Sequence, residues 1–271
     1  IGHSATEAEF KAWLAEKRVP IREPKNSEEV ILSQVGHELY EKFFRGYTLK
    51  HWHRHPRDLD ASVTARIPIR TTRDDHYLRE EFQALPKRGY NHLFEQILES
   101  SPGLVLRLET DFREARRHYD ARHIIYTGPV DAYFDYCYGR LPWRSLRFEV
   151  ESFTPAQLKP REPISGKPGF WQPAMQVNYP NDFDYTRIVE IKHATQQQTG
   201  CSSIVREYPQ DDGPGREPYY PVPAPDARAL YEKYRLLAAA EPGVSFCGRL
   251  ATYHYYNMDQ VTAMALHEFE R

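Results

Sequence analysis

Three arginines far apart in the chain, Arg66, Arg187 and Arg249, three tyrosines, Tyr77, Tyr220 and Tyr255, and an aromatic run, Phe43, Tyr47 and Trp52, are residues whose types could do chemistry together. A guanidinium fork grips an oxyanion through two parallel hydrogen bonds, a phenol donates to the oxygens left over, and an aromatic face stacks on a base. Gathered in one place, these groups describe a cleft for a nucleotide diphosphate. Each arginine alone is more ordinarily half of a surface ion pair. The sequence has no GxSxG, no Walker loop, no HExxH and no paired-carboxylate glycosidase signature. Bond making in such a cleft falls to a cofactor. His51, His53 and His55 alternate and would face one way in an extended chain, but Arg54 and Pro56 read as a solvated loop, so no metal is expected.

The elements that must position these groups are legible in outline. Ser4 or Thr6 can cap a helix to about Lys17, and Asn26 or Ser27 a longer one in which Ile31, Val35, Leu39 and Phe43 form one buried stripe that ends at Gly46. The segment 66–70 reads as a short extended piece around Pro68, and 90–98 as a helix burying Leu93, Phe94, Ile97 and Leu98. Strands are expected at 104–108, 122–127, 145–151, 175–179, 187–193 and 204–208. The lengths of their connections favour a mostly antiparallel sheet, and the Pro-rich interval 154–173 reads as an inserted loop. Asp226 can cap a helix over 227–239 packed through Leu230, Tyr234 and Leu237. The apolar run 244–247 then meets Gly248, crosses an aromatic turn and enters a helix opened by Asn257 or Asp259, with Val261, Ala265 and Phe269 on one face. Such a corner aims backbone N–H groups where anions are favoured, though on spacing alone a plain structural corner with buried tyrosines is slightly the better reading. The fold class is α+β: a mainly helical part over 1–100, an antiparallel-sheet part over 101–240 and a strand-turn-helix over 241–271.

With 271 residues the chain can bury a sizeable core, and a net charge of −2 provides no electropositive field for nucleic acid. No apolar run approaches the ~20 residues of a membrane span and no signal-peptide pattern is visible. Cys137, Cys201 and Cys247 are odd in number and widely spaced, which suits reduced thiols and a cytoplasmic location. Nineteen tyrosines and 21 prolines suit short elements and a cleft wall with available hydroxyls.

The segment GRLATYHYYNMDQV (248–261) resembles the C-terminal flavin-contacting motif of the UDP-galactopyranose mutases. YTLKHW (47–52), RIPIR (66–70), YTGPVDAYFDY (126–136), RSLRFE (144–149), NYPNDFDYTR (178–187) and PYYPVP (218–223) are similar to segments of that family in the same order. The resemblance implies FAD, active when reduced. In that family the flavin N5 attacks the anomeric carbon of UDP-galactopyranose, UDP leaves, and the sugar recloses as a furanose for galactofuranose-containing glycans of the cell wall. It implies Arg66 and Arg187 as the catalytic diphosphate arginines and Tyr77, Tyr220 and Tyr255 as phosphate-binding tyrosines. Phe43, Tyr47 and Trp52 fall on the uridine and mobile-loop side, and Asn178 beside the substrate. Asn257 stands where many of the mutases carry Asp, a substrate- and flavin-side position. Thr127, Gly128, Gly248, Arg249, Tyr255, Tyr256 and Met258 fall beside the flavin, so that 241–271 packs on the flavin domain.

One family feature is missing: no strand-GxGxxG-helix unit for the ADP half of FAD is present, since Pro214 and Pro218 preclude a helix after the GPG at 213–215. About one domain's worth of residues is therefore expected upstream of Ile1. A truncated piece, inactive alone, is favoured over one chain of a two-chain enzyme or a degenerate relative. The alternatives in function are a non-catalytic UDP-sugar-binding module and an amine-oxidase-like flavoenzyme with another substrate. The oligomeric state stays open, a homo-oligomer included.

Overall fold

The structure, a computed structural model, describes residues 5–65, 67–74 and 81–270. Thr6 caps α1 (Glu7–Lys17) in a reciprocal box with Glu9, and Asn26 caps α2 (Ser27–Leu39). Leu14, Ile31 and Val35 close a small core between them. The four-residue stripe does not run on to Phe43. Gly36 breaks it with φ 75° and ψ 179°, and a Cβ there would stand 2.1 Å from Lys17 O, so only glycine lets α1 approach so closely. The chain resumes as a π-helical stretch, Tyr40–Arg45, that buries Tyr40 and leaves Phe43 56% exposed. Gly46 does not end the helix either; α3 (Gly46–Trp52) begins there.

Three short helices follow, α4 (Ser62–Ala65), α5 (Gly89–Glu99) and α6 (Phe112–His118). The apolar side of α5 was expected to be buried, yet no described element covers it, and Leu93, Phe94 and Ile97 are exposed. The expected strand at 104–108 is irregular chain with Leu104, Val105, Leu106 and Leu108 exposed, because no described strand offers its backbone a partner.

The sheet strands are β1 (Ile124–Tyr126), β2 (Trp143–Phe153), β3 (Gln176–Asn178), β4 (Arg187–Val189), β5 (Ser202–Asp211), β6 (Tyr220–Pro221) and β7 (Val244–Phe246). Five of them form one antiparallel sheet in the order β3-β4-β5-β2-β6, while β1 and β7 pair in parallel. Directly opposed residues share a face. Asn178, Arg187, Glu207 and Phe148 lie in one such row, and Tyr220, Arg144 and Asp211 in another on the same side.

β4 stops earlier than expected because Glu190 and Lys192 are drawn inward. The Glu190 carboxylate accepts the Trp171 and Gln172 amides, and the Lys192 ammonium donates to Gly169 and Cys201 carbonyls. The interval 154–173 is not a plain loop: its helical turns bury Leu158 and stack Trp171 on Phe153 at 4.2 Å, closing the far end of the sheet. A helix runs from Pro225 to Ala240 with Tyr234 fully buried. Proline at its first position sets its start, so Asp226 lies inside it and pairs with Arg54 at 3.0 Å instead of capping. A short helix, Gly248–Ala251, and the Asn257-capped helix Met258–Phe269 end the chain, with Phe269 exposed rather than packed. The chain is thus an α+β protein. No helix among the described residues is long and apolar enough to cross a membrane.

Candidate functional site

Arg187 opens β4 on the face just described, and three neighbours hold its guanidinium. Its Nε donates to Glu207 Oε2 at 2.6 Å, one terminal nitrogen to Tyr220 Oη at 3.3 Å, and the other to Gln176 Oε1 at 3.4 Å. Burial works against its charge, but the Tyr47 and Tyr220 phenols and the Glu207 carboxylate outweigh burial and raise its pKa above the ordinary arginine value. Tyr220 is buried, which pushes its phenol up to about 12, with Arg187 pulling the other way. At neutral pH it is a neutral hydrogen-bond donor.

Around Tyr220 the aromatic residues converge. Its ring centroid lies 5.3 Å from that of Tyr255, 4.8 Å from His51 and 6.1 Å from Trp52, and Tyr47 stacks on His51 at 5.9 Å. The Arg249 guanidinium sits 5.4 Å from the Tyr220 ring and 4.8 Å from the Tyr255 ring while donating to Tyr219 O at 2.8 Å. Arg249 Nε is buried and has no hydrogen-bond partner among the described residues.

Arg144, itself buried, ties this cluster to the sheet. Its Nε donates to His51 O at 2.8 Å, at the carbonyl end of α3, and its terminal nitrogen pairs with Asp211. No group of three or more metal-ligating side chains exists among the described residues, and His51 is an aromatic-cluster residue, apart from His53 at the left-handed helix end.

The sequence-derived residues thus divide. Arg187, Tyr220, Tyr255, Arg249 and Tyr47 come together on one face, and Asn178 stands opposite Arg187 across β3 and β4. Trp52 is buried against Tyr220, Leu59 and Leu146, so its ring backs the wall rather than offering a free face. Phe43 is exposed four residues before Tyr47. Asn257 is exposed, and its side chain caps the last helix in a reciprocal box with Gln260. Met258 is exposed and the Tyr256 ring lies tilted against that of His254 at 4.4 Å. Thr127 and Gly128 follow β1 beside the end of β7, where the Cys247 amide donates to Tyr126 O at 3.0 Å. A Cβ at Gly128 would stand 2.6 Å from Tyr126 Oη, so that glycine also serves local packing. Arg66 and Tyr77 lie outside the described residues.

Sequence reasoning missed Glu207, Arg144 and Lys50. Glu207 and Arg144 gain their roles from strand register, and nothing in their local sequence signals it.

Fold and site together define an α+β protein whose antiparallel sheet presents an arginine-bearing, tyrosine-walled face. A model of the UDP-galactopyranose mutase family matches residues 42–255. A probable UDP-galactopyranose mutase of Klebsiella pneumoniae is 38% identical over 95% of this chain and 64% of its own length. A dTDP-fucopyranose mutase of Escherichia coli is 31% identical over 88% of this chain and 62% of its own length. A crystal structure of reduced UDP-galactopyranose mutase superimposes with a TM-score of 0.57 at 16% identity, covering 92% of this chain and 69% of that one, a likeness of fold. The chain belongs to the UDP-galactopyranose mutase family and spans somewhat less than two-thirds of the length of those two sequence relatives.

Proposed function

We propose that this chain is the substrate-holding part of a flavin-dependent isomerase that interconverts UDP-galactopyranose and UDP-galactofuranose. The observation that carries the reading is the convergence of the Arg187 guanidinium, the Tyr220 phenol, Tyr255 and Arg249 on one sheet face. In this reading Arg187, joined by Arg66, grips the diphosphate, and Tyr220, Tyr255 and Tyr77 donate to its oxygens. Glu207 holds Arg187 through Nε, which leaves both terminal nitrogens, now on Tyr220 and Gln176, to turn toward an anion. Tyr47 and Phe43 offer ring faces to the uracil, with Trp52 behind them, and Asn178 lies at the sugar side. A cleft that keeps its hold on UDP while the sugar changes ring size lowers the entropic cost of recapture.

FAD fits the residues at the ends of β1 and β7. These are the carboxyl ends of two adjacent parallel strands, the usual place for a ligand in a parallel sheet. Gly248 has φ 88° with open space where a Cβ would stand, which permits close backbone approach, and Arg249 has a spare buried donor. Thr127, Gly128, Gly248, Arg249, Tyr255, Tyr256, Asn257 and Met258 would hold it there. When bound and reduced, the flavin supplies the nucleophile. The exposed apolar residues of α5, of 104–108 and of the last helix are surface that a flavin-binding unit would cover.

Calorimetric titration of the chain with UDP tests the reading. Binding that Arg187→Ala weakens at least about tenfold supports it, and equal affinity of the two proteins overturns it. The likeness to dTDP-fucopyranose mutase favours a second reading, a dTDP-linked deoxysugar, and tighter binding of dTDP than of UDP would select it. Yellow absorbance bleached by dithionite separates the enzyme from a colourless UDP-sugar-binding module.

A further inference from the structure

The segment between Asn178 and Arg187 is built around a single ammonium group. Lys50, on α3 one turn beyond Tyr47, donates to three backbone carbonyls of that segment: Tyr179 O, Phe183 O at 2.8 Å and Tyr185 O at 3.1 Å. The carbonyls face inward on the ammonium, and the rings of the same three residues pack on one another, Phe183 and Tyr185 stacked at 4.9 Å and Tyr179 edge-on to both. The Tyr179 amide closes the neck of the loop on Thr186 O at 2.8 Å.

Two further contacts press the loop onto the helical part. Asn181 Nδ2 donates to Lys42 O at 3.0 Å, and Gly46 leaves room that a Cβ would take, 2.2 Å from Asn181 Oδ1 and 2.6 Å from Pro180 O. The helix carrying Tyr47 and the strand carrying Arg187 therefore meet through this loop. A second ammonium of the same kind stands past the other end of β4: Lys192 is ringed by Gly169 O, Thr199 O and Cys201 O, on the side away from Tyr220.

We propose that Lys50 is a positioning residue for the candidate site, its ammonium fixing the 179–185 loop and through it the placement of Arg187 and Asn178 against Tyr47. This rests on the UDP-binding reading above. An ammonium has three donors and can satisfy three converging carbonyls at once, whereas an apolar side chain leaves all three without that partner.

The test compares Lys50→Met, Lys192→Met and Gly46→Ala in the full chain, with hydrogen exchange of the 179–186 amides and UDP affinity as readouts. Lys50→Met should speed exchange in 179–186 and weaken UDP binding about tenfold. Lys192→Met removes a chemically equivalent clamp and should speed exchange around 166–173 and 199–201 while leaving UDP affinity within about twofold. Gly46→Ala keeps the ammonium and favours the helix, yet displaces the loop, so it should weaken UDP even if Lys50→Met does not fold. UDP affinity unchanged in Lys50→Met or Gly46→Ala, or equally lowered by Lys192→Met, would overturn the positioning role. A wild-type chain that binds no UDP would instead sink the substrate reading, with loop exchange still deciding whether Lys50 clamps the loop.

Discussion

Replacing Glu207 with alanine removes the carboxylate that holds Arg187 and leaves a largely buried guanidinium with only its two longer contacts, to Tyr220 and Gln176. The side chains are 10% and 22% exposed, so the pair lies between a buried ion pair, where deleting one partner costs about 3–5 kcal/mol, and a surface pair worth about 0–1 kcal/mol. The remaining contacts and partial hydration bring the expected loss to about 2–3 kcal/mol. Urea unfolding reads this as a midpoint lowered by about 1 M, for a slope near the upper end of the ~1–3 kcal/mol/M range. A double-mutant cycle with Arg187→Met should return a coupling of about 1.5–2 kcal/mol. Ligand affinity provides a sharper discrimination. Coulomb's law alone predicts that removing a negative charge tightens UDP, whereas loss of orientation at Arg187 weakens it, and weakening is the expected result. A midpoint within ~0.2 M of wild type, absence of coupling, or tighter UDP binding would each refute the argument that Glu207 holds Arg187 in place.

Burial raises the phenols of Tyr40, Tyr126, Tyr220 and Tyr253, with Tyr126 and Tyr220 reaching about 12. An unfolded phenol ionises near pH ~10, so their contribution is fully present below that and is lost as pH rises toward 12. This amounts to about 2–3 kcal/mol each for Tyr126 and Tyr220. Alkaline titration followed by phenolate absorbance should show these tyrosines ionising late and together with unfolding; ionisation alongside the exposed tyrosines would contradict it. Gly36→Ala combines a backbone region suited only to glycine with a contact at 2.1 Å to Lys17 O, and should cost more than about 3 kcal/mol, checked by a thermal melt. Asn257→Ala should cost about 1 kcal/mol through the lost helix cap, while Asn257→Asp stays within a few tenths, measured by chemical denaturation.

Much of this architecture is legible from local chemistry. Thr6 with Glu9 and Asn26 with Glu29 mark the starts of α1 and α2 because a cap is satisfied within three residues. The alternation around Ile188 marks a strand for the same local reason, and the segments carrying Arg187, Tyr220 and Tyr255 are visible as motifs. Other outcomes depended on neighbours distant in the chain. The α5 face has the composition of a buried side and is exposed, since periodicity reports what a helix could bury and not whether a partner is there. Phe43 leaves the stripe because Gly36 is spent on the approach of Lys17, a contact between separate helices.

From the residues alone come the kinds of group available, arginines for an anion, phenols to donate and rings to stack, together with the helices that cap themselves. Tertiary structure decided which of those groups meet. The pairing of Arg187 with Glu207 follows from the register of β4 on β5, and the loop around Lys50 from carbonyls more than a hundred residues away. A strand shifted by one residue would put Arg187 on the opposite face with the same sequence, and only the summed packing of the whole sheet makes that shift unfavourable.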